Sequence, residues 1–347
     1  MDIAEASPKP STTRFEMSEP PTESKSATAL YNALQNHNAN AVELKKVEGV
    51  VEIDCNTKPI DAAQILWELN IIGVPVWDAE KNKYCGFFDM RDILSAVIET
   101  TRRLEEHGAY DKYNEVMVQS LSEMKHDQEE SLPYTLSYLV TRNIVHTFKP
   151  TTPLVKLCEA LSQAKCSRVL ICVKEGTHCV NMISRSSLVS FLSEHVSPDE
   201  LMETMDQAGL EFRKPVVSVR DNVSAFEAFE LIDSKGLYGI AVVDEEGALL
   251  GNTSARDIKH AALDKGRAAM DIDILSYLSG VRREASSKTT RYPTCHVRED
   301  STVGHVLNLL AKTGYHRVFV VDQYLRPIGV VSDSDILGFI IEKSKKK

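Results

Sequence analysis

No apolar run in this chain of 347 residues approaches the roughly 20 needed to cross a bilayer. The chain also opens without a basic segment leading into an apolar one, so a cytoplasmic and/or nuclear location is expected. Cys-x-x-Cys is absent. The seven cysteines (Cys55, Cys85, Cys158, Cys166, Cys172, Cys179 and Cys295) are an odd number, lie mostly in apolar stretches and read as reduced core thiols. A P-loop, a metal-ligand spacing and a paired nucleophile and base are all missing, and His37, His107, His126 and His178 are scattered. A non-catalytic protein without bound metal is therefore expected. An excess of positive charge is lacking as well, with 40 Lys and Arg against 50 Asp and Glu. A formal net charge of -10 argues against a nucleic-acid partner, and the basic stretch Lys343–Lys347 reads as a solvated tail.

What is present is a globular composition, 43% hydrophobic and 26% charged, with length enough for two domains. A spacing also recurs, Gly-x-x-[small polar]-x-x-Asp. It appears as Gly329, Ser332, Asp335, as Gly251, Ser254, Asp257, and as Gly86, Asp89, Asp92. A degenerate copy has Asn181, Ser184 and Ser187. Each copy follows an apolar strand and opens a helix, so the chain is a repeat. The units begin with strands at Val50–Asp54, Ile144–Phe148, Val216–Arg220 and Thr294–Arg298. Helices with apolar residues at i, i+3, i+4 and i+7 follow, as in Leu154, Leu157, Cys158 and Leu161. Inner strands come next (Gly73–Trp77, Arg168–Val173, Gly239–Asp244, Arg317–Asp322), then another strand and a second helix at Asp92–Ile98, Ser187–His195, Asp257–Leu263 and Asp335–Ile341.

The fold class is α+β, four β-α-β-β-α units. One unit is too small to bury a good core alone, so the units should pair. The expected organisation is a disordered tail over 1–28 and a first pair over 29–205, with motifs at about 48–100 and 142–197. A second pair covers 206–347, with motifs at about 214–264 and 292–343. Ala29–Lys46 reads as a leading amphipathic helix, and 99–143 as a linker holding an exposed charged helix. The 264–291 linker carries an apolar stripe (Met270, Ile274, Tyr277, Leu278) and basic residues Arg282, Arg283, Lys288 and Arg291.

The stretch Gly329-Val330-Val331-Ser332-Asp333-Ser334-Asp335-Ile336-Leu337 carries the candidate chemistry, with His316-Arg317 upstream. A helix start offers unpaired N–H groups and partial positive charge to a phosphate. A carboxylate there can accept both hydroxyls of a ribose diol. The bland alternative is that these residues are ordinary N-caps.

The four units with Gly-x-x-Ser-x-x-Asp at the second helix resemble CBS motifs, which pair as Bateman modules. From about Leu30 to Glu342 the set resembles the gamma subunit of the AMP-activated, sucrose-non-fermenting type protein kinase. The resemblance rests on Val74-Pro75-Val76-Trp77-Asp78 with Lys81 through Gly86, and on His316 through Asp322 with Gly329 through Leu337. It rests also on aspartate in motifs one, three and four (Asp92, Asp257, Asp335) against Ser187 in motif two. The resemblance implies a flattened disc with sites around a central channel. It makes Asp335 a ribose ligand, places Ser332 and Ser334 near phosphate or sugar, and sends His316 and Arg317 to phosphates. Asp257 with Ser254, Asp92, Arg168 and Lys165 would serve the corresponding sites. The implied ligand is AMP, ADP or ATP, with no covalent cofactor. The implied partners are a kinase catalytic subunit and a beta-type scaffold subunit, with neither nucleic acid nor membrane. The implied function is allosteric energy sensing. The alternative is a stand-alone CBS-pair protein or scaffold gating another partner, with nucleotide binding reduced or lost. Ser167, Ile72, Ser186, Gly236 and Tyr238 depart from the family pattern, so one or two strong sites are expected, with Asp335 the best.

Overall fold

Runs such as Val318-Phe319-Val320-Val321 combine β-branched and aromatic residues, which fit a pleated surface, and they are apolar on both faces. In the computed structural model, which describes residues 24–43, 49–106, 144–174, 176–259, 261, 267–285 and 294–344, four such runs are the middle strands of four three-stranded sheets.

Unit one comprises β1 (Ile53–Asp54), α2 (Pro59–Glu68), β2 (Gly73–Asp78), β3 (Lys83–Asp89) and α3 (Met90–Glu106), after a leading helix α1 (Lys25–Asn36). Unit two comprises β4 (Thr147–Phe148), α4 (Leu154–Leu161), β5 (Arg168–Lys174), β6 (Thr177–Ser184) and α5 (Arg185–His195). A connector with the short α6 (Met205–Ala208) leads to unit three, which has β7 (Ser218–Arg220), α7 (Ala225–Ser234), β8 (Gly239–Val243) and β9 (Leu249–Ser254). A 3-10 turn at Ala255–Ile258 and α8 (Ile274–Ala285) follow. Unit four comprises β10 (His296–Arg298), α9 (Val303–Thr313), β11 (Arg317–Val321), β12 (Pro327–Ser332) and α10 (Asp333–Ser344).

In every unit the first strand pairs parallel with the middle one, which pairs antiparallel with the third. The middle strands are interrupted at the same place, Val76/Trp77, Ile171/Cys172, Val242/Val243 and Val320/Val321. The register sets Gly73 opposite Asp89, Arg168 opposite Ser184, Gly239 opposite Ser254 and Arg317 opposite Ser332. The residue opening each middle strand thus meets the polar residue that ends the hairpin. Helix starts are chemically marked. Ser224 and Glu227 cap α7 reciprocally, and the Thr302 side chain accepts from the His305 N–H at the start of α9.

Several expected boundaries move. The tail was expected to reach Thr28, but α1 starts at Lys25, because Ser24 caps it and Glu203 accepts hydrogen bonds from Ser24 Oγ at 2.8 Å and Ser26 N at 2.7 Å. The leading helix ends at Asn36, short of Lys46, and a 3-10 turn follows at Ala39–Ala41. The second helix of unit three was expected over Asp257–Leu263, whereas its described start is the 3-10 turn through Ile258. The charged linker helix lies mainly outside the described residues, and so do Lys288 and Arg291. The seven cysteines are free, and burial pushes the Cys158 thiol up and the Cys166 thiol up to about 11. Among the described residues no helix is long and apolar enough to cross a membrane.

The period-2 alternation of the middle strands divides the core. Val169 and Ile171 face a core shared by the helices of units two and four, which α1 covers with Leu30 and Leu34. Leu170 and Cys172 face Tyr84 and Phe87 of unit one instead. Likewise Val242 joins a helical core shared with unit one, while Ala241 and Val243 meet Phe319 and Val321 of unit four. The Met270, Ile274, Tyr277, Leu278 stripe lies in the core shared by units one and three, as packing. Sheets therefore join units one with two and three with four, helices join one with three and two with four, and the ring runs one, two, four, three.

Two contacts hold this ring at points open to test. The connector crosses β12, where Val330 N donates to the Phe212 carbonyl at 3.0 Å, and a Cβ on Gly329 would collide with that oxygen. Gly329→Ala is expected to cost about 1–3 kcal/mol by overpacking, read as a lower urea midpoint. Between units one and two, Arg168 Nη1 lies 3.3 Å from Asp89 Oδ2, with the residues 4% and 1% exposed. Arg168→Met strands a buried carboxylate and is expected to cost about 3–5 kcal/mol, much of it recovered by adding Asp89→Asn. Additive losses in urea titrations of the two single variants and the double would show the pair to be uncoupled.

Candidate functional site

The recurring spacing is first of all a helix-capping device. A polar residue ending the hairpin becomes the N-cap, and the residue three positions on reaches back to its N–H. In unit four Asp335 Oδ2 accepts from Ser332 N at 2.8 Å and from Ser332 Oγ at 2.6 Å. In unit three Asp257 Oδ2 accepts from Ser254 N at 2.8 Å and Oγ at 3.0 Å. In unit one Asp92 Oδ2 accepts from Asp89 N at 2.7 Å, and in unit two Ser187 Oγ accepts from Ser184 N at 2.8 Å. The N-cap reading therefore holds in all four units, and any ligand role is added to it.

The four helix starts differ in what else they meet. Asp92 and Asp89 are each only 1% exposed, so the unit-one carboxylates are closed in. Asp89 takes Arg168 and also the Tyr238 hydroxyl, which donates to Oδ2 at 3.2 Å. The Arg91 guanidinium stands 5.0 Å from the Tyr238 ring centroid. Burial, and then Asp89, push the Tyr238 hydroxyl up to about 12 against the opposing Arg168 and Arg91, so it stays a neutral donor. Arg168 was expected at phosphate and is instead spent inside the protein. Lys165 is not brought to any of these groups. It is exposed before β5, and its carbonyl accepts from Ile144 N at 3.1 Å.

Unit four assembles the most complete set. Ser332 Oγ and Ser334 Oγ lie 2.8 Å apart beside Asp335, and all three residues are half-buried. Lys214 Nζ is 2.5 Å from Asp335 Oδ1, with the two side chains 39% and 23% exposed. His316 Nδ1 is 3.0 Å from Asp333 Oδ2, and the buried Asp333 Oδ1 has no hydrogen-bond partner among the described residues. Arg317 Nη1 donates to the Gly239 carbonyl, tying unit four to unit three. Burial holds the Arg317 guanidinium below the usual arginine range, and Asp333, Asp335 and Tyr238 oppose that shift. Arg185 is likewise lowered by burial, with Tyr238 and Asp333 opposing. Its Nε and Nη2 close the end of α4, donating to Leu161 O at 2.8 Å and Gln163 O at 2.7 Å.

The structure thus brings Asp335, Ser332, Ser334, His316 and Arg317 together, keeps Asp257 with Ser254, and links Asp92 to Arg168 through Asp89. Lys214, Asp333, Arg185 and the hub role of Tyr238 escaped the sequence reading. Asp333 was legible as a second acid in the first helical turn. Lys214 lies in an unpatterned connector and carries no local signal. Among the described residues no group of three or more His, Cys, Asp or Glu side chains could hold a metal ion.

Comparison with known proteins agrees with this architecture. The family profile described as CBS domain matches residues 137–194, 208–264 and 290–342. Protein SDS23 of Scheffersomyces stipitis is 22% identical over 306 residues, covering 82% of this chain and 57% of that protein. Across SDS23 proteins of three organisms the chain spans only 48% to 57% of their length. The 5'-AMP-activated protein kinase subunit gamma of Kluyveromyces lactis is 24% identical over 301 residues, covering 84% of this chain and 85% of that one. A crystal structure from Methanocaldococcus jannaschii, described as a candidate archaeal homologue of g-AMPK, superposes with a TM-score of 0.62. It is 16% identical and covers 87% of this chain and 99% of its own, a likeness of fold. Units two, three and four thus each carry a segment that matches the CBS-domain profile, and unit one repeats their β-α-β-β-α order.

Proposed function

We propose that this chain is a non-catalytic regulatory subunit that binds an adenine nucleotide at the unit-four helix start and tunes a partner protein kinase. The observation that carries the reading is the convergence of the half-buried Asp335, Ser332, Ser334, His316 and Arg317. In it a carboxylate accepts the ribose diol, while hydroxyls and cations meet phosphate. The site is built across units, from the connector through Lys214 and from unit three through the Gly239 carbonyl. A ligand there bears on how the units sit, and it shifts the equilibrium between two states of a complex by its difference in affinity for them. The name of the Kluyveromyces lactis relative, a protein kinase subunit, supports a protein kinase as partner, and a beta-type scaffold subunit is proposed with it.

A second reading has its own support. The Arg168–Asp89 and Lys214–Asp335 pairs satisfy internally the groups that a nucleotide would use, as in a scaffold with reduced binding.

Titrating adenosine, AMP and ATP into wild type, Asp335→Ala and Arg317→Ala separates the two readings. Asp335→Ala is expected to weaken all three ligands about tenfold or more, at a stability cost of about 1 kcal/mol from the lost cap. Arg317→Ala is expected to weaken ligands more as phosphates are added and to spare adenosine. Affinities unchanged across the grid would put the scaffold reading in front. Calorimetry is expected to count no more than two tight sites, because Asp92 and Arg168 are closed off; three or more equivalent sites would contradict that. Affinity capture from source cells is expected to recover a kinase catalytic subunit.

A further inference from the structure

Asp335 does not stand ready for a diol. A carboxylate offers about four acceptor positions. Ser332 N and Oγ occupy both on Oδ2, and Lys214 takes one on Oδ1 at 2.5 Å. A ribose brings two hydroxyl donors, which need two positions, and with Lys214 in place only one is left. Diol binding and the Lys214 ion pair therefore compete for the same oxygen.

The main chain of Lys214 cannot follow its side chain. Its N–H donates to the Phe212 carbonyl at 2.8 Å, and that carbonyl also accepts Val330 N across Gly329, with Phe212 buried. Pro215 fixes the next residue. The neighbouring Arg213 turns the other way, to Asp206 at 2.5 Å and Glu299 at 3.1 Å on the surface. What can move is the ammonium, a compact charge with three donors on a flexible four-carbon stem. Arg317, the residue read as a phosphate ligand, lies within electrostatic reach of the same Asp335.

We propose that Lys214 is the specificity-determining residue of this site. It holds Asp335 until a ribose displaces it, and it then passes to a ligand phosphate. This deepens the nucleotide reading given above and rests on it. A nucleoside must break the ion pair and leaves the ammonium without an anion, whereas a nucleotide exchanges one anionic partner for another. The site therefore selects phosphorylated adenine ligands over adenosine, through a residue outside the repeated motif.

The test titrates adenosine, AMP and ATP into wild type, Lys214→Met and Lys214→Arg. The methionine variant is expected to bind adenosine tighter by about fivefold and ATP weaker, while the arginine variant keeps the wild-type preference. If wild type binds nucleotide but Lys214→Met moves all three affinities by one factor, or none, the ion pair is structural only. The proposal then fails and the nucleotide reading stands. If none of the three proteins binds any of the three ligands, that reading fails and takes this one with it. A second readout is acetylation of Lys214 by acetic anhydride, followed by peptide mass spectrometry. Lys214 is expected to react more slowly in wild type than in Asp335→Asn, to be unmasked by saturating adenosine and to stay protected with ATP. Equal rates in all four samples would overturn the proposal.

Discussion

The architecture depends on one constraint: each unit has two apolar surfaces and a single middle strand to serve both. Val169 and Ile171 look to the helices while Leu170 and Cys172 look to the neighbouring sheet, and the strand cannot bury one set without exposing the other. Two different neighbours are required, one for the sheet face and one for the helix face. Four units satisfy that requirement only by closing on themselves. Unit two meets unit one through sheets and unit four through helices, and unit three makes the complementary contacts. The connector, α1 and the stripe on α8 then fill the flanks of cores that already exist.

Closing the ring turns the openings of the middle strands toward one another, and their residue types become complementary. Units two and four begin the strand with Arg168 and Arg317, while units one and three begin it with Gly73 and Gly239. A Cβ at Gly73 would lie 2.9 Å from Arg168 Cζ, and Arg317 reaches the carbonyl of Gly239. Arg168 thus takes the room left by Gly73, whereas Arg317 bonds the carbonyl of Gly239, whose Cβ position faces Thr253 and Ser254 of its own hairpin. Because Arg168 is spent on Asp89 of unit one, the number of cations left for a ligand is smaller than the number in the sequence. That explains physically why the four helix starts, alike in spacing, are unlike in openness.

Much of this was legible in the sequence, and the limits have identifiable causes. Period-2 and period-3.6 patterns marked the strands and helices, and the repeated spacing located the helix starts, because both are local consequences of backbone geometry. The α+β class and the pairing of one with two and three with four followed. The larger helical cores, two with four and one with three, were not written in any local pattern, since Leu188 and Val306 are equally apolar whichever helix they meet. The expected Asp257–Leu263 helix shows the reverse error. Its described start is a 3-10 turn, although the capping pair of Ser254 and Asp257 forms as the spacing requires.

The same division runs through the site. Asp335, Ser332 and Ser334 could be named because a capping box has a fixed spacing. Lys214 could not, because it reaches Asp335 across a sequence separation of 121 residues. Local spacing identifies which groups a helix start presents, whereas the charge they meet is set by the chain that crosses them in the fold. A capping carboxylate keeps one oxygen for its own helix, and only the other can answer to a partner. At Asp92 that remaining capacity is buried. At Asp335 it is half-buried and paired with Lys214. Function can therefore be added to one repeat without disturbing the capping chemistry shared by all four.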